Sequence, residues 1–323
     1  MKKVLALCLA VACTALVLAG CNTGGAGSAG QKVKIGVIQF VAHDALDAAY
    51  KGFVDGLAEA GYKEGENVSF DFQNAQGEIA NCSSIATKLV NDKNDLILAI
   101  ATPAAQAVAQ ATGDAKNLPV LVTAVTDPQD AGLVASNEAP GGNVTGTSDL
   151  APVAKQIELL KQLVPEAKTI GFLYSSSEAN SVFQIDLARA AAEELGLTTQ
   201  DFTVSSTNEM QQVVQSMVGK VDAVYAPTDN MIASGMPAVA AIANQNKLPV
   251  IVGEVGMVQN GALASYSLDY YELGKITAGQ AVKILKGEAT PATMPIEYQT
   301  EFKLELNEET AQTLGITIPA DLQ

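Results

Sequence analysis

The chain has 323 residues, of which 48% are hydrophobic and 17% charged. That balance suits a globular α/β protein with a substantial core, and it excludes a disordered chain. A formal net charge of −16 with no Lys/Arg run excludes nucleic acid as a partner.

Lys2 and Lys3 open the chain, Val4 to Ala19 form an apolar run, and Leu18-Ala19-Gly20-Cys21 closes it. The run is short for a mature membrane span and is predicted to be a signal segment. Its ending resembles the bacterial lipoprotein signal, which implies cleavage after residue 20 and a lipid anchor on Cys21. Residues 21–32 include the Gly/Ser-rich stretch NTGGAGSAG and read as a flexible tether. Cys8 and Cys13 would leave with the signal, so Cys82 is the one cysteine expected in the folded part and no intramolecular disulfide is expected.

From Val33 the pattern alternates strand and helix. Val33 to Gln39 is predicted as a strand, and Asp44 as the cap of a helix whose stripe is Leu46, Tyr50, Phe53 and Leu57. Asn67 to Gln73 is the next strand, followed by a helix with Cys82, Ile85 and Leu89 on its inner face. Asp95 to Ile100 leads into Thr102-Pro103, read as an N-cap followed by proline at the first helical position. Pro119 to Thr123 and Val144 to Thr147 are further strands around the turn at Ala139 to Asn143.

A second series then repeats the pattern. A helix with Val153, Ile157, Leu160 and Val164 on one stripe precedes the strand Thr169 to Tyr174, and the following helix stops at Gly196. Ser206 and Glu209 have capping-box spacing. Val221 to Asn230 is an apolar strand that stops at Pro227-Thr228-Asp229-Asn230, and Pro249 to Val252 ends at Gly253-Glu254. Ala262 to Tyr266 is a strand, Tyr270 to Leu285 a helix, and Met294 to Leu306 has strand composition. Strands alternating with helices predict two Rossmann-like lobes with parallel sheets and right-handed crossovers. One lobe is expected from 33–148 and 260–290, the other from 149–259 and 291–323.

In such sheets ligands bind at the carboxyl ends of the strands. There the chain places Gln39, His43, Thr102, Thr126, Asp127, Ser177, Asn180, Ser181, Asp229, Asn230, Glu254 and Tyr266. Each Ser, Thr or Asp alone could be a helix cap. Together, helix starts facing one cleft offer N–H groups to a carboxylate, and an acid there could accept an ammonium. His43 is the sole histidine and has no evident nucleophile beside it, Cys82 lies on an apolar helix stripe, and no Asp/Asn ladder suggests calcium. The expectation is no catalysis, no metal and no cofactor.

The segments QFVAHDALDAAYKGFVDGL, ATPAAQA, VTDPQDAGLV, GNVTGTSD, YSSSEANS, YAPTDN and GALASYSLDYYELG occur in this order. They resemble the ABC-transporter substrate-binding proteins of the tryptophan/tyrosine type over nearly all of the chain from Val33. The resemblance implies a type I periplasmic-binding-protein fold with three crossover segments, an amino-acid ligand, and as partners an ABC permease with its ATPase subunit. It also implies that Thr102, Thr126 and Asp127, with Gln39 and His43, hold the ligand from one lobe. Ser177, Asn180 and Ser181 would meet its carboxylate and Asp229 its ammonium from the other, with Glu254 and Tyr266 at crossovers. Gly235 and Pro237 interrupt the helix after Asn230, which puts that neighbourhood in doubt. A monomeric, lipid-anchored receptor outside the cell membrane is the leading expectation. A sugar or nucleoside receptor, an exported enzyme using Asp127, Asp229 or Glu254, and a surface adhesin or sensor are the alternatives.

Overall fold

The computed structural model describes residues 32–113 and 117–322. The expected signal, Cys21 and the tether through residue 31 lie outside them. Residues from Val33 onward form one compact unit built on two six-stranded sheets.

The first sheet uses β1 (Val33–Gln39), β2 (Val68–Asn74), β3 (Leu96–Ile100), β4 (Val120–Val125) and β5 (Val144–Ser148). Its strands β3, β4 and β5 are buried along their whole length, as strands covered on both faces of a parallel sheet must be, although β5 (VTGTS) is mostly polar and β3 (LILAI) wholly apolar. Crossovers run through α1 (Asp44–Glu59), α2 (Ile79–Asn91) and α3 (Thr102–Thr112). The second sheet repeats this with β6 (Thr169–Ser175), β7 (Thr198–Val204), β8 (Ala223–Ala226), β9 (Val250–Val252) and β10 (Ala264–Ser267). Its crossovers are α5 (Ala179–Glu194), α6 (Met210–Met217), α7 (Asn230–Gln245) and α8 (Val255–Gln259), while α4 (Val153–Leu163) joins the sheets.

Strand order is β11-β5-β4-β3-β1-β2 in one sheet and β12-β10-β9-β8-β6-β7 in the other. All pairings are parallel except that of β10 with β12. Here β11 is Glu297–Tyr298 and β12 is Lys303–Leu306, so the expected strand over 294–306 is two short strands in different sheets. This moves the expected lobe boundaries. The stretch 264–267 pairs with β9 and belongs to the second sheet, whereas 297–298 pairs with β5 in the first. Pairing partners of short strands are set by tertiary contact, which a local pattern does not carry.

Between these crossings α9 (Tyr270–Leu285) returns to the first lobe and packs on α1. Two glycines make the approach possible. A Cβ on Gly52 would lie 1.9 Å from the Tyr271 carbonyl oxygen, and one on Gly274 would lie 2.0 Å from that of Ala49. The first core unites β1, β3, β4, α1 and α9 around Phe53, Leu57, Leu98 and Leu273. The second sheet carries a core on each face, one with Met236 and Met217 and one with Phe172 and Tyr225. Cys82 is buried and free, and burial pushes its thiol up to about 11.

Three local expectations change. Thr102 is the first helical residue of α3 and Ala101 its cap, at φ +82°. His43, not Asp44, precedes α1. Glu209 reaches back four residues to the Ser205 N–H and hydroxyl, one residue beyond the capping box expected with Ser206. The helix after Asp229 is continuous from Asn230 to Gln245 with Pro237 exposed on its outer side. Gly235 serves packing, because a Cβ there would lie 2.4 Å from the Met210 sulfur of α6.

Candidate functional site

Strand ends from both sheets meet at one small cavity lined by His43, Leu46, Ala124, Thr126, Asp149, Asn180, Thr228, Asp229, Asn230, Ala233, Glu254 and Tyr270. Space for the centre of a water-sized group amounts to only about 10 Å³. The lobes therefore stand close together, and side chains bridge them. His43 Nε2 lies 3.2 Å from Asn230 Oδ1, and Gln184 Nε2 donates to Thr126 Oγ1 at 3.3 Å. Toward the rim Asn260 Nδ2 donates to Asp44 Oδ2 at 2.7 Å.

The strand ends carry backbone strain. Ala101 after β3 and Ala124 in β4 have φ of +82° and +54°, a region that disfavours any side chain with a Cβ. Ala124 lies directly in the cavity wall.

Two acids at helix starts of the second lobe are saturated with donors. Asp229 caps α7 by accepting from Ile232 N–H at 2.8 Å, and its other oxygen accepts from Ser175 N–H at 2.6 Å and Ser181 Oγ at 2.7 Å. Glu178 accepts from Met231 N–H at 3.0 Å, from Asn230 N–H at 3.3 Å and from Asn230 Nδ2 at 2.5 Å. Burial raises both carboxyls, and the charge of Asp229 raises Glu178 further. Glu254 caps α8 by accepting from Gly256 N–H at 2.6 Å and Met257 N–H at 3.0 Å, and burial pushes it up to about 7.

Asp149 differs from these three. It follows β5 directly, is 2% exposed, and accepts from the Tyr270 hydroxyl at 2.8 Å through Oδ2. Oδ1 has no hydrogen-bond partner, and burial pushes the group up to about 6. The Thr126 hydroxyl is near enough to oppose that rise but lies outside hydrogen-bond geometry.

His43 is partly exposed as a residue, yet its Nδ1 is shielded and unpartnered. Because Asn230 Nδ2 donates to Glu178, the Asn230 carbonyl oxygen faces His43 and Nε2 must carry the hydrogen. Burial lowers the pKa of the ring, which holds it neutral and leaves Nδ1 as a bare acceptor. Asn180 Nδ2 donates to the Thr228 carbonyl at 3.1 Å, and its Oδ1 is left unpartnered.

Of the residues expected from sequence, His43, Thr126, Asn180, Asp229, Asn230 and Glu254 line the cavity. Ser181 stands behind Asp229 as its donor. Gln39 is buried at the end of β1 and braces α1 through Asp47 Oδ1 at 2.6 Å. Thr102 is buried with its hydroxyl unpartnered but is not a lining residue. Asp127 serves its own turn, accepting from Gln129 and Asp130 N–H and from Asn137 Nδ2. Ser177 is exposed, and Tyr266 packs along the core of Phe172 and Tyr225. Sequence reasoning passed over Asp149, Glu178, Gln184 and Tyr270. Asp149 and Glu178 could have been found as acids at strand ends, but nothing local marks Gln184 inside α5.

Residues 34–323 match the family model described as ABC transporter substrate binding protein. A tyrosine-binding protein of Clostridioides difficile is 42% identical over 98% of this chain and 93% of its own. The ABC domain from Streptococcus pneumoniae, solved in complex with L-Trp, is 47% identical with a TM-score of 0.86, covering 90% of this chain and 97% of that one. A ligand-free, open structure of a substrate-binding protein with adhesive properties from Clostridium difficile is 46% identical over the same shares, with a TM-score of 0.67. At nearly equal identity the ligand-bound structure fits better than the open one, in keeping with the bridged cleft. The two-sheet architecture is that of type I periplasmic binding proteins, and the chain belongs to the ABC transporter substrate-binding protein family.

Proposed function

We propose that this protein is a lipid-anchored receptor that captures an aromatic amino acid, Tyr, Phe or Trp, between its lobes and delivers it to an ABC permease driven by an ATPase subunit. The observation that carries the reading is a closed cavity in which His43 Nδ1, Asp149 Oδ1, Asn180 Oδ1 and Thr228 Oγ1 lack partners. A buried polar atom without a partner costs about 1–3 kcal/mol, which a ligand rich in donors removes. The names of relatives at 42% and 47% identity, tyrosine-binding and in complex with L-Trp, support an aromatic side chain. Leu46, Ala124, Ala233 and the Tyr270 ring offer apolar surface for it. The present space is too small for a whole amino acid, so the lobes part to admit one and close as a hinged pair.

Cys21 carries the anchor and residues 22–32 the tether, and the receptor acts as a monomer on the outer face of the membrane. Labelling with a clickable fatty acid tests the anchor, and Cys21→Ala is expected to lose the label. An adhesive role is a second reading, favoured by the adhesive properties named for the 46% identical protein.

Ligand identity is tested by thermal shift on protein unfolded and refolded to remove bound solute. A ligand at about 100 times its Kd adds about 2.7 kcal/mol, a rise of several degrees. A rise with Tyr, Phe or Trp is expected. A rise confined to a sugar or nucleoside would overturn the ligand, and no rise with any solute would shift weight to adhesion.

A further inference from the structure

We propose that the cavity between the strand ends of the two sheets is an ammonium subsite. Asp149, His43 and Asn180 receive the three N–H groups of a ligand's primary ammonium, and Asp149, in place of Asp229, is its ion partner. The proposal rests on the receptor reading above and deepens it.

The argument starts from the chemistry of the unpaired atoms. Asp149 Oδ1 can only accept when ionised. Asn180 Oδ1 is a carbonyl oxygen, because its Nδ2 is committed to the Thr228 carbonyl. His43 Nδ1 is a bare lone pair, because Nε2 carries the hydrogen toward Asn230. Three buried acceptors without partners therefore belong to residues that line one cavity, and no Lys or Arg lines it. The about 10 Å³ of room suits one water-sized group. A water brings two O–H groups to three acceptors and leaves the Asp149 charge unanswered. A primary ammonium brings three N–H groups and the opposite charge.

The choice of Asp149 follows from who already has donors. Both oxygens of Asp229, of Glu178 and of Glu254 accept hydrogen bonds within the second lobe. Among the described residues, Asp149 Oδ1 is the one buried carboxylate oxygen without a partner. Tyr270 is a positioning residue, since its hydroxyl fixes Oδ2 and leaves Oδ1 without a partner. Asp149 sits at the crossover after β5, its N–H donating to the Val125 carbonyl at 3.1 Å. An ammonium held there would be seized where the two lobes join.

The test titrates stripped protein with L-tyrosine, L-phenylalanine, L-tryptophan, tyramine, the desamino acid 3-(4-hydroxyphenyl)propanoate, and a panel of non-aromatic amino acids and sugars. Every compound that binds as tightly as L-tyrosine is expected to carry a primary ammonium, with the desamino acid binding measurably but more weakly. Asp149→Asn is expected to narrow the preference for L-tyrosine over its desamino analogue by about 10- to 150-fold, the range of one charged hydrogen bond. A merely structural loss would weaken both compounds together. Tyr270→Phe is expected to narrow the same preference less. An unchanged preference in Asp149→Asn overturns the subsite and leaves the receptor reading standing. Binding only by a non-aromatic amine overturns the aromatic reading and keeps the subsite. Binding of the desamino acid as tight as that of L-tyrosine overturns the subsite alone, and tightest binding by a sugar, or binding by nothing, overturns both.

Discussion

Two groups of buried acids sit a short distance apart in this protein and do opposite things. At the helix starts of the second lobe, Glu178 and Asp229 spend both oxygens on backbone N–H groups and on Asn230 or Ser181. After β5, Asp149 keeps one oxygen free in the cavity. A saturated carboxylate holds helices in place, whereas an unsaturated one is available to something that arrives later. Position at a strand end does not separate the two, but the count of donors does.

The most forceful way to break this comparison is Asp229→Ala. It leaves the Ser175 and Ile232 N–H groups and the Ser181 hydroxyl without their acceptor, and it removes the α7 cap. A loss of about 2–4 kcal/mol in urea unfolding is expected. A loss below about 1 kcal/mol would move Asp229 to the ligand side.

Acidity sharpens the comparison next. Asp149 and Glu254 titrate near 6 and 7 in the folded protein, above the ordinary carboxylate values near 4 of an unfolded chain. The folded state then binds more protons than the unfolded state between those limits. The stability these groups contribute is complete below about pH 4 and is lost as pH rises through 6 to 7. Urea midpoints of ligand-free protein are expected to fall over that window. An ammonium at Asp149 reverses its shift, so calorimetry of L-tyrosine binding at pH 6 in buffers of different ionisation enthalpy should register release of about half a proton. Uptake of protons would contradict the assignment.

Smaller still is the expected effect of Asp149→Asn on the ligand-free protein at pH 5, within about 1 kcal/mol, because the carboxyl is mostly protonated there and Asn keeps an acceptor for Tyr270; above pH 7 the variant is expected to be the more stable, since it carries no unpaired buried charge. As a surface control, Lys88→Ala removes the exposed pairs to Asp71 and Asp92 and should cost about 0.5 kcal/mol or less.

The contrast also accounts for how far the sequence was legible. Helix α9 runs from Tyr270 to Leu285 as its apolar spacing predicted, and the buried strands end where Ser, Thr, Asn and Asp interrupt them. The edge strand β7, TTQDFTV, escaped notice because an edge carries polar residues and little apolar run. Asp229 was conspicuous because it ends an apolar strand, yet its three donors come from Ser175, Ser181 and Ile232, two of them about 50 positions away. Whether an acid is saturated depends on such distant partners. Asp149 and Glu178 stand at strand ends as Asp229 does, and only such distant partners tell the roles of the three apart; the Asn230 amide that fixes the His43 tautomer is hidden from the sequence in the same way.

In the proposed subsite, closure of the lobes depends on an ammonium, and small-angle X-ray scattering reads that dependence directly. Stripped protein is expected to be expanded, to contract with L-tyrosine, and to stay expanded with the desamino acid at a concentration that saturates any residual binding. Contraction with the desamino acid, or equal dimensions with and without L-tyrosine, would contradict it.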